Sequence, residues 1–372
     1  MTLEIIAMIC AGLYIGHVVL ETILNNRRLK KFKYIIHVNG TRGKSTTVRL
    51  IEAGLRECGY KVFSKTTGTY PTIIDVNGNV KPIRRLGNAN IREQLRMIRQ
   101  AYRQGADVLV IECMAIDPTL QNITQHKMLK ANIGVITNVR RDHLEEMGTD
   151  LTEIAHSLAN TIPMNSHLIV GDQTYKDIFM RKALFNNTIY HELVEYQEEY
   201  QIDTFKENID IANTVAVVLG EDLKTFARGM SKYIKDAGAL KVYELDDFIF
   251  INALSVNDPD SLQIVFDKVL TELNYQAKDI SILLNNRYDR PKRAFSLANF
   301  ITQLECKDIY LSGGYTKRIK KYLYGKTTKE INIVKHLSEI KPKSIVFAVG
   351  NIGHRGFEFI DFCEVNGRKI YG

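Results

Sequence analysis

The stretch Val38-Asn39-Gly40-Thr41-Arg42-Gly43-Lys44-Ser45-Thr46 limits the fold more than any other. Before it, Tyr34-Ile35-Ile36-His37-Val38 is rich in strand formers. After it, Lys44 to Cys58 spaces Val48, Ile51 and Leu55 along one helical face, with Gly59 placed as a stop. Strand, Gly-rich turn and helix make up the setting in which successive backbone N–H groups cradle phosphate oxygens. The glycines allow the tight turn. The helix start adds partial positive charge, Lys44 adds a full one, and the Ser45 hydroxyl is a candidate Mg²⁺ ligand. A full P-loop also carries a Gly where Val38 stands, so the short form Gly-x-x-Gly-Lys-Ser remains. Asn39, Gly40, Thr41, Arg42, Gly43, Lys44, Ser45 and Thr46 are the candidate nucleotide-binding loop.

A chain of 372 residues can hold two domains of ordinary size, and its composition is globular. The formal net charge of +8 calls for a polyanionic partner: nucleic acid, anionic lipid, or an acidic substrate or product. The cysteines (Cys10, Cys58, Cys113, Cys306 and Cys363) are scattered and odd in number, which argues for a reducing compartment without a zinc site. Leu3 to Leu24 is almost wholly apolar and about as long as a bilayer-crossing helix requires. Arg27-Arg28-Leu29-Lys30-Lys31-Phe32-Lys33 follows directly, which places what comes after in the cytoplasm. The expectation is a single membrane anchor over 1–26, with a docked amphipathic helix as the alternative.

Further along, Lys65-Thr66-Thr67-Gly68-Thr69 is a hydroxyl-rich turn after a short strand, and Asn77-Gly78 marks a hairpin. A helix over about 89–104 lines up Arg92, Arg96, Arg99 and Arg103, either a solvated face or a track for a polyanion. Asp107 to Ile111 and Ala131 to Thr137 are buried strands ending at Glu112 and Asn138; His143 follows the second. In a doubly wound sheet the strands' carboxyl ends gather at one edge, so Glu112, Asn138 and His143 are expected beside the phosphate loop. A carboxylate and an imidazole beside phosphates suit a metal. A helix cap for Glu112 and a structural histidine for His143 are the alternatives. Leu168-Ile169-Val170 reads as the last strand of this sheet, and Asn187 to Thr204 as polar surface strands and turns. Asp236-Ala237-Gly238-Ala239 reads as a hinge. From Lys241 the strand–helix alternation restarts as a second α/β domain. In it, Asn286 to Arg293 concentrates charge after a strand, either as a solvated loop or, through Arg290 and Arg293, as a clamp on carboxylate or phosphate. Lys317-Arg318-Ile319-Lys320-Lys321 reads as surface charge.

Gly40 to Thr46 resembles the ATP loop of the Mur ligase and folylpolyglutamate synthase superfamily. Ala131 to Asn138, with Asp142-His143-Leu144 and Gly148, resembles its second signature. Lys65 to Thr69, Glu112-Cys113-Met114-Ala115, Asn138 to His143, Val349-Gly350-Asn351-Ile352 and the apolar N-terminal segment are similar to the bacterial poly-γ-glutamate synthase subunits called PgsB or CapB. The resemblance spans essentially the whole chain. It implies an α/β fold: a transmembrane helix (1–26), a P-loop domain with a doubly wound, mostly parallel sheet (27–238) and a smaller Rossmann-like ligase domain (239–372). It implies ATP and Mg²⁺, with Lys44 on the β/γ-phosphates, Ser45, Thr67 and Glu112 on one metal and His143 on a second. Asn138, Asn208, Asn252 and Asn257 would line the nucleotide. The activity implied is ATP-dependent amide ligation that polymerises glutamate through a γ-glutamyl phosphate. Poly-γ-glutamate is then the polyanion, rather than nucleic acid, and a separate integral membrane subunit is the implied partner, with a homo-oligomer compatible. Two departures stand out: no lysine lies between Leu151 and His167, where many relatives carry a carbamylated one, and Ala239 follows Gly238 where related ligases have Arg. A membrane-anchored motor or regulatory ATPase, or a nucleotide-binding scaffold, would share the same loop without the amide chemistry.

Overall fold

A computed structural model describes residues 3–68, 71–85, 89–196, 202, 204–235, 239–353 and 355–371. The expected hinge residues Asp236, Ala237 and Gly238, as well as Thr69 of the hydroxyl-rich turn and part of the 187–204 segment, lie outside the described residues. The chain divides into two units, Met1–Lys235 and Asp236–Gly372.

Unit 1 runs α1 (Leu3–Leu29), β1 (Tyr34–Asn39), α2 (Lys44–Glu57), β2 (Val62–Lys65), β3 (Thr72–Ile74), β4 (Val80–Pro82), α3 (Glu93–Arg103), β5 (Val108–Glu112), α4 (Pro118–Ile123), β6 (Ile133–Ile136), α5 (Leu151–Leu158), β7 (His167–Val170), α6 (Lys176–Phe185), β8 (Ile189–His191), α7 (Lys206–Leu219) and α8 (Leu223–Met230). Its sheet has the order β4-β3-β2-β5-β1-β6-β7-β8. The strands from β2 to β8 are parallel, and the β3–β4 hairpin turns at Asn77-Gly78. The sheet therefore runs one strand beyond Leu168-Ile169-Val170, because His167, Leu168 and Ile169 register with Ile189, Tyr190 and His191. The central strands β1 and β5 are near-continuous apolar runs because both faces are covered. On one face Ile36, Val38, Val108 and Val110 pack with α2, α7 and α8; on the other Ile35, Leu109 and Ile111 pack with Met97, Ile98 and Ala101 of α3.

Helix α1 continues to Leu29, past the apolar stretch. Its first five turns expose Ile5, Met8, Leu13, Ile15 and Leu20. Its base is fixed to unit 1: Asn25 Nδ2 donates to the Met128 carbonyl (2.8 Å), Arg92 forks onto Glu21 (2.9 and 3.0 Å), and Leu29 and Phe32 join the core under α3. The arginine stripe is thus split in role, since Arg92 holds α1 whereas Arg99 and Arg103 make no ion pair among the described residues.

Unit 2 runs β9 (Lys241–Glu244), β10 (Phe248–Asn252), α9 (Pro259–Glu272), β11 (Ile280–Asn286), α10 (Pro291–Gln303), β12 (Ile309–Gly313), α11 (Thr316–Leu323), β13 (Ile331–Ile333), β14 (Ser344–Val349), α12 (Arg355–Asn366) and β15 (Arg368–Tyr371). The order β13-β12-β11-β14-β10-β9-β15 is parallel from β13 to β10, with β9 and β15 antiparallel at one end. Asp258 caps α9 by accepting from Ser261 N (2.9 Å), and Pro259 and Pro291 open α9 and α10 where a missing N–H costs nothing.

Candidate functional site

The carboxyl ends of β1, β2, β5 and β6 bring the predicted loop and its neighbours together. Gly40 and Gly43 take φ of +129° and +78°, which L side chains rarely adopt. A Cβ on Gly40 would stand 2.0 Å from Thr137 Oγ1, and one on Gly43 would stand 2.5 Å from Asn208 Oδ1. The sequence must therefore place glycine at both points. The loop is pinned from the β6 side: Thr41 Oγ1 and Arg42 N both donate to Asn138 Oδ1 (2.8 and 3.0 Å), and Thr137 Oγ1 donates to the Arg42 carbonyl (2.6 Å). Arg42 also pairs with Asp142 (3.1 Å). Lys44 folds back over the loop, its Nζ donating to the Gly40 carbonyl (2.6 Å) and the Thr41 carbonyl (3.2 Å). Thr46, in the first turn of α2, is half-buried.

Glu112 is the meeting point of three segments. Its Oε2 accepts from Ser45 Oγ (2.8 Å) and Thr67 N (2.7 Å), and its Oε1 from Thr67 Oγ1 (2.7 Å). Two hydroxyls and a carboxylate are hard oxygen donors of the kind Mg²⁺ takes, so the residues fit such an ion. Asn208, on α7, accepts from Thr47 Oγ1 (3.3 Å) and so holds the start of α2. Asn39 turns the other way, its amide donating to Gln121 Oε1 (2.9 Å) and Thr161 Oγ1 (3.2 Å) inside the unit. His143 adopts φ +48° and lies against Asp142 (3.7 Å) and Glu146 (3.9 Å), one residue beyond the Asp142 that grips the loop. Among the described residues no three His, Cys, Asp or Glu side chains gather as a metal set, so the hydroxyls carry the oxygen chemistry around Glu112.

Sequence reasoning missed what stands behind Glu112. Lys65, read as the start of a turn, is the last residue of β2 and fully buried. Its Nζ lies 2.9 Å from Glu93 Oε1 and donates to Gln94 Oε1 (3.0 Å), while Gln94 Nε2 donates to the Glu112 carbonyl (3.1 Å). Burial lowers the Lys65 pKa against the pull of Glu93 and Glu112. Burial alone would raise the Glu93 pKa, but the Arg85 fork and Lys65 outweigh it and hold the carboxyl at about 2. No pattern in a single sequence marks a lysine for burial, since the type is almost always exposed. Nearby, burial holds His37 down to about 4, with its Nδ1 2.8 Å from Gln125 Oε1.

In unit 2, Asn252 is fully buried at the end of β10, donating to the Ala239 carbonyl (3.4 Å) and accepting from Leu254 N (3.2 Å). Asn257 precedes the α9 cap, its buried Oδ1 without a hydrogen-bond partner among the described residues. Arg290 is exposed at the start of α10 and Arg293 half-buried in its first turn, while Arg287 pairs with Asp289 (2.6 Å).

A P-loop at the carboxyl end of a mostly parallel sheet, followed by a separate five-stranded parallel array with an antiparallel end, is the fold of the ATP-dependent Mur and folylpolyglutamate synthase ligases. Residues 38–215 match the Mur ligase middle domain and residues 239–366 the poly-gamma-glutamate synthase CapB C-terminal domain. PGA synthase CapB of Bacillus subtilis (strain 168) is 34% identical over 361 residues, 90% of this chain and 91% of that protein. The capsule biosynthesis protein CapB of Bacillus anthracis is 33% identical over 97% of this chain and 83% of its own length. The chain belongs to the poly-γ-glutamate synthase CapB family. In fold it also resembles Escherichia coli FolC in complex with ADP (TM-score 0.67, 14% identity, 92% of this chain and 93% of that one). MurF from Acinetobacter baumannii is similar too (TM-score 0.66, 14% identity, 93% and 80%).

Proposed function

We propose that this ligase polymerises glutamate through γ-amide bonds, spending ATP at the unit 1 loop. A carboxylate is a poor acyl donor because its leaving group would be oxide. In the proposed reaction, a glutamate γ-carboxylate oxygen attacks the γ-phosphorus of ATP, the bond to the bridging oxygen breaks, and ADP leaves. The α-amine of the next glutamate then attacks the acyl phosphate, losing a proton as phosphate departs with the former carboxylate oxygen. Held at the loop, Mg²⁺ supplies charge neutralisation on the transferring phosphoryl group.

The chain's own residues divide the remaining work. The backbone N–H groups of Gly43, Lys44 and Ser45 cradle phosphates, and Lys44 exchanges the Gly40 and Thr41 carbonyls for phosphate oxygens. Ser45, Thr67 and Glu112 hold the ion, and Asn138 keeps the loop in shape. His143 is assigned to a second metal position, and Asn208, Asn252 and Asn257 to the nucleotide. Arg290 and Arg293 are assigned to carboxylate or phosphate charge. The exposed apolar part of α1 anchors the chain in a membrane, with both units on the cytoplasmic side and a separate integral membrane subunit as partner. The observation that carries the reading is the convergence of Ser45, Thr67 and Glu112 behind a glycine-built loop, in a member of the CapB family.

The test is full-length chain in membranes with ATP, Mg²⁺ and glutamate, scored for ADP and for glutamate polymer. Polymer forming in step with ADP is expected, and Lys44→Ala should lower both by roughly 100-fold or more. ADP release that ignores glutamate, with no amide made, would replace the ligase by a motor ATPase.

A further inference from the structure

Unit 2 carries a dense run of positive charge on and just after α11. Between residues 315 and 335 stand Lys317, Arg318, Lys320, Lys321, Lys326, Lys329 and Lys335 against a single acid, Glu330, in a chain whose whole net charge is +8. Glu330 is already taken by Lys341 (2.5 Å). Lys317, Lys320 and Lys321 are exposed, and none has a carboxylate within ion-pair distance among the described residues. Other lysines of the unit do find carboxylates, as Lys241 finds Glu364 (3.2 Å).

These three lysines also line one shallow surface depression. Together with Tyr324 and Ile333 they line a groove of about 420 Å³ between α11 and the edge strand β13. Tyr324 is 88% exposed, a large aromatic surface left in water beside three cations that have no carboxylate within ion-pair distance among the described residues. Lys317 lies three and four residues before Lys320 and Lys321, and these lie four and three before Tyr324 at the C-cap of α11, so the ring follows the cations along one side of the helix at ~5–6 Å between Cβ atoms of such pairs.

We infer that this groove is a binding site for an extended polycarboxylate, namely a stretch of the γ-linked glutamate chain. The inference rests on the proposed function for the identity of the polymer. A γ-linked residue contributes five backbone atoms where an ordinary residue contributes three, so its extended repeat is roughly 6 Å against the usual ~3.3–3.6 Å. Free carboxylates then recur at about the lysine spacing of a helix face. Between them lie two methylenes per residue, an apolar segment that Tyr324 and Ile333 can cover. Phosphate polymers and lipid headgroups offer the charge without those methylenes. The site retains product by many weak, salt-sensitive contacts and takes no part in the chemistry at Lys44 and Glu112.

The experiment uses the full-length chain in nanodiscs and fluorescently labelled poly-γ-glutamate of about 20 units, with binding read by anisotropy across a salt series. Lys317→Gln/Lys320→Gln/Lys321→Gln is expected to weaken binding at least tenfold and flatten its salt dependence. The Lys→Arg triple variant should keep the affinity, and ADP release with free glutamate should be unchanged in both. Wild-type affinity in the Gln variant overturns the site, as does a groove that takes up phosphatidylserine vesicles while leaving the polymer free. Failure of the proposed function reads differently: no glutamate-dependent ADP release in any variant, whatever the lysines bind.

Discussion

The carboxyl edges of the two parallel sheets are built from different chemistry. In unit 1 the strands lead into Asn39, Lys65, Glu112 and Asn138, with hydroxyls of Thr41, Ser45 and Thr67 between them; Glu112 and Asn138 are hydrogen-bonded to the loop and its hydroxyls, while Asn39 and Lys65 are held from behind by Gln121, Thr161, Glu93 and Gln94. In unit 2 the strands end in Asn252, Asn285-Asn286, Ser312-Gly313 and Val349-Gly350-Asn351, all uncharged. Several of those groups are buried with an atom left over: Asn285 Oδ1, Asn286 Nδ2 and Ser312 Oγ have no hydrogen-bond partner among the described residues. A charged edge whose donors are spoken for can hold a strongly charged ligand at low reorganisation cost. A neutral amide edge has capacity to orient a polar group but little to stabilise charge, and unit 2 keeps its cations on the 287–293 loop and on α11 instead.

The sharpest way to break this contrast is at Glu112. Glu112→Gln keeps the shape and removes the charge, so the Mg²⁺ needed for half-maximal ADP release should rise roughly 10–100-fold, read by metal titration. An unchanged metal response would make the unit 1 edge no more electrostatic than that of unit 2. Next comes the buried ion network behind it. Glu93→Leu leaves Lys65 buried with amide and thioether contacts and only the longer-range pull of Glu112, and should cost unit 1 on the order of 3 kcal/mol in chemical denaturation. Stability equal to wild type would mean that Lys65 is held neutral.

Acid should act on unit 1 through His37. Its pKa is about 4 folded against 6.5 unfolded, so the folded state binds fewer protons across that interval, and stability falls as the pH drops from 6.5 to 4. Denaturant midpoints of a His37→Gln variant should lose that part of the slope, and parallel curves for the two proteins would count against it. Glu93 acts lower down: its depressed pKa contributes stability above about 4.5 that disappears as the pH falls towards 2. The smallest effect is expected in unit 2. Asn286→Ala removes an amide nitrogen that already lacks a partner, so the melting curve should move by less than about 1 kcal/mol. A large loss would show that the neutral edge is under stricter demand than its hydrogen bonds suggest.

Much of the site was legible because its parts obey local rules. Gly40 and Gly43 announce themselves through φ values that only glycine takes easily, and Glu112 and Asn138 through their position at the ends of apolar runs. The restart of alternation after Lys241 likewise foretold the second sheet. What escaped depends on contacts distant in sequence. Lys65 is buried only because Glu93 and Gln94 arrive from α3, and Asn39 turns inward only because Gln121 and Thr161 receive it. The 187–204 segment was legible as surface strands and turns, and Ile189–His191 is one such strand, but its place as an eighth strand of the sheet follows only from its pairing with β7.

The stitched base of α1 has a mechanical consequence. With Glu21, Asn25, Leu29 and Phe32 all committed to unit 1, no swivel separates the greasy shaft from the body it carries. Whatever grips the shaft sets the heading of the phosphate loop as a keel sets the heading of a hull, and a few glycines spliced in after Leu24 would turn a fixed mount into a tether.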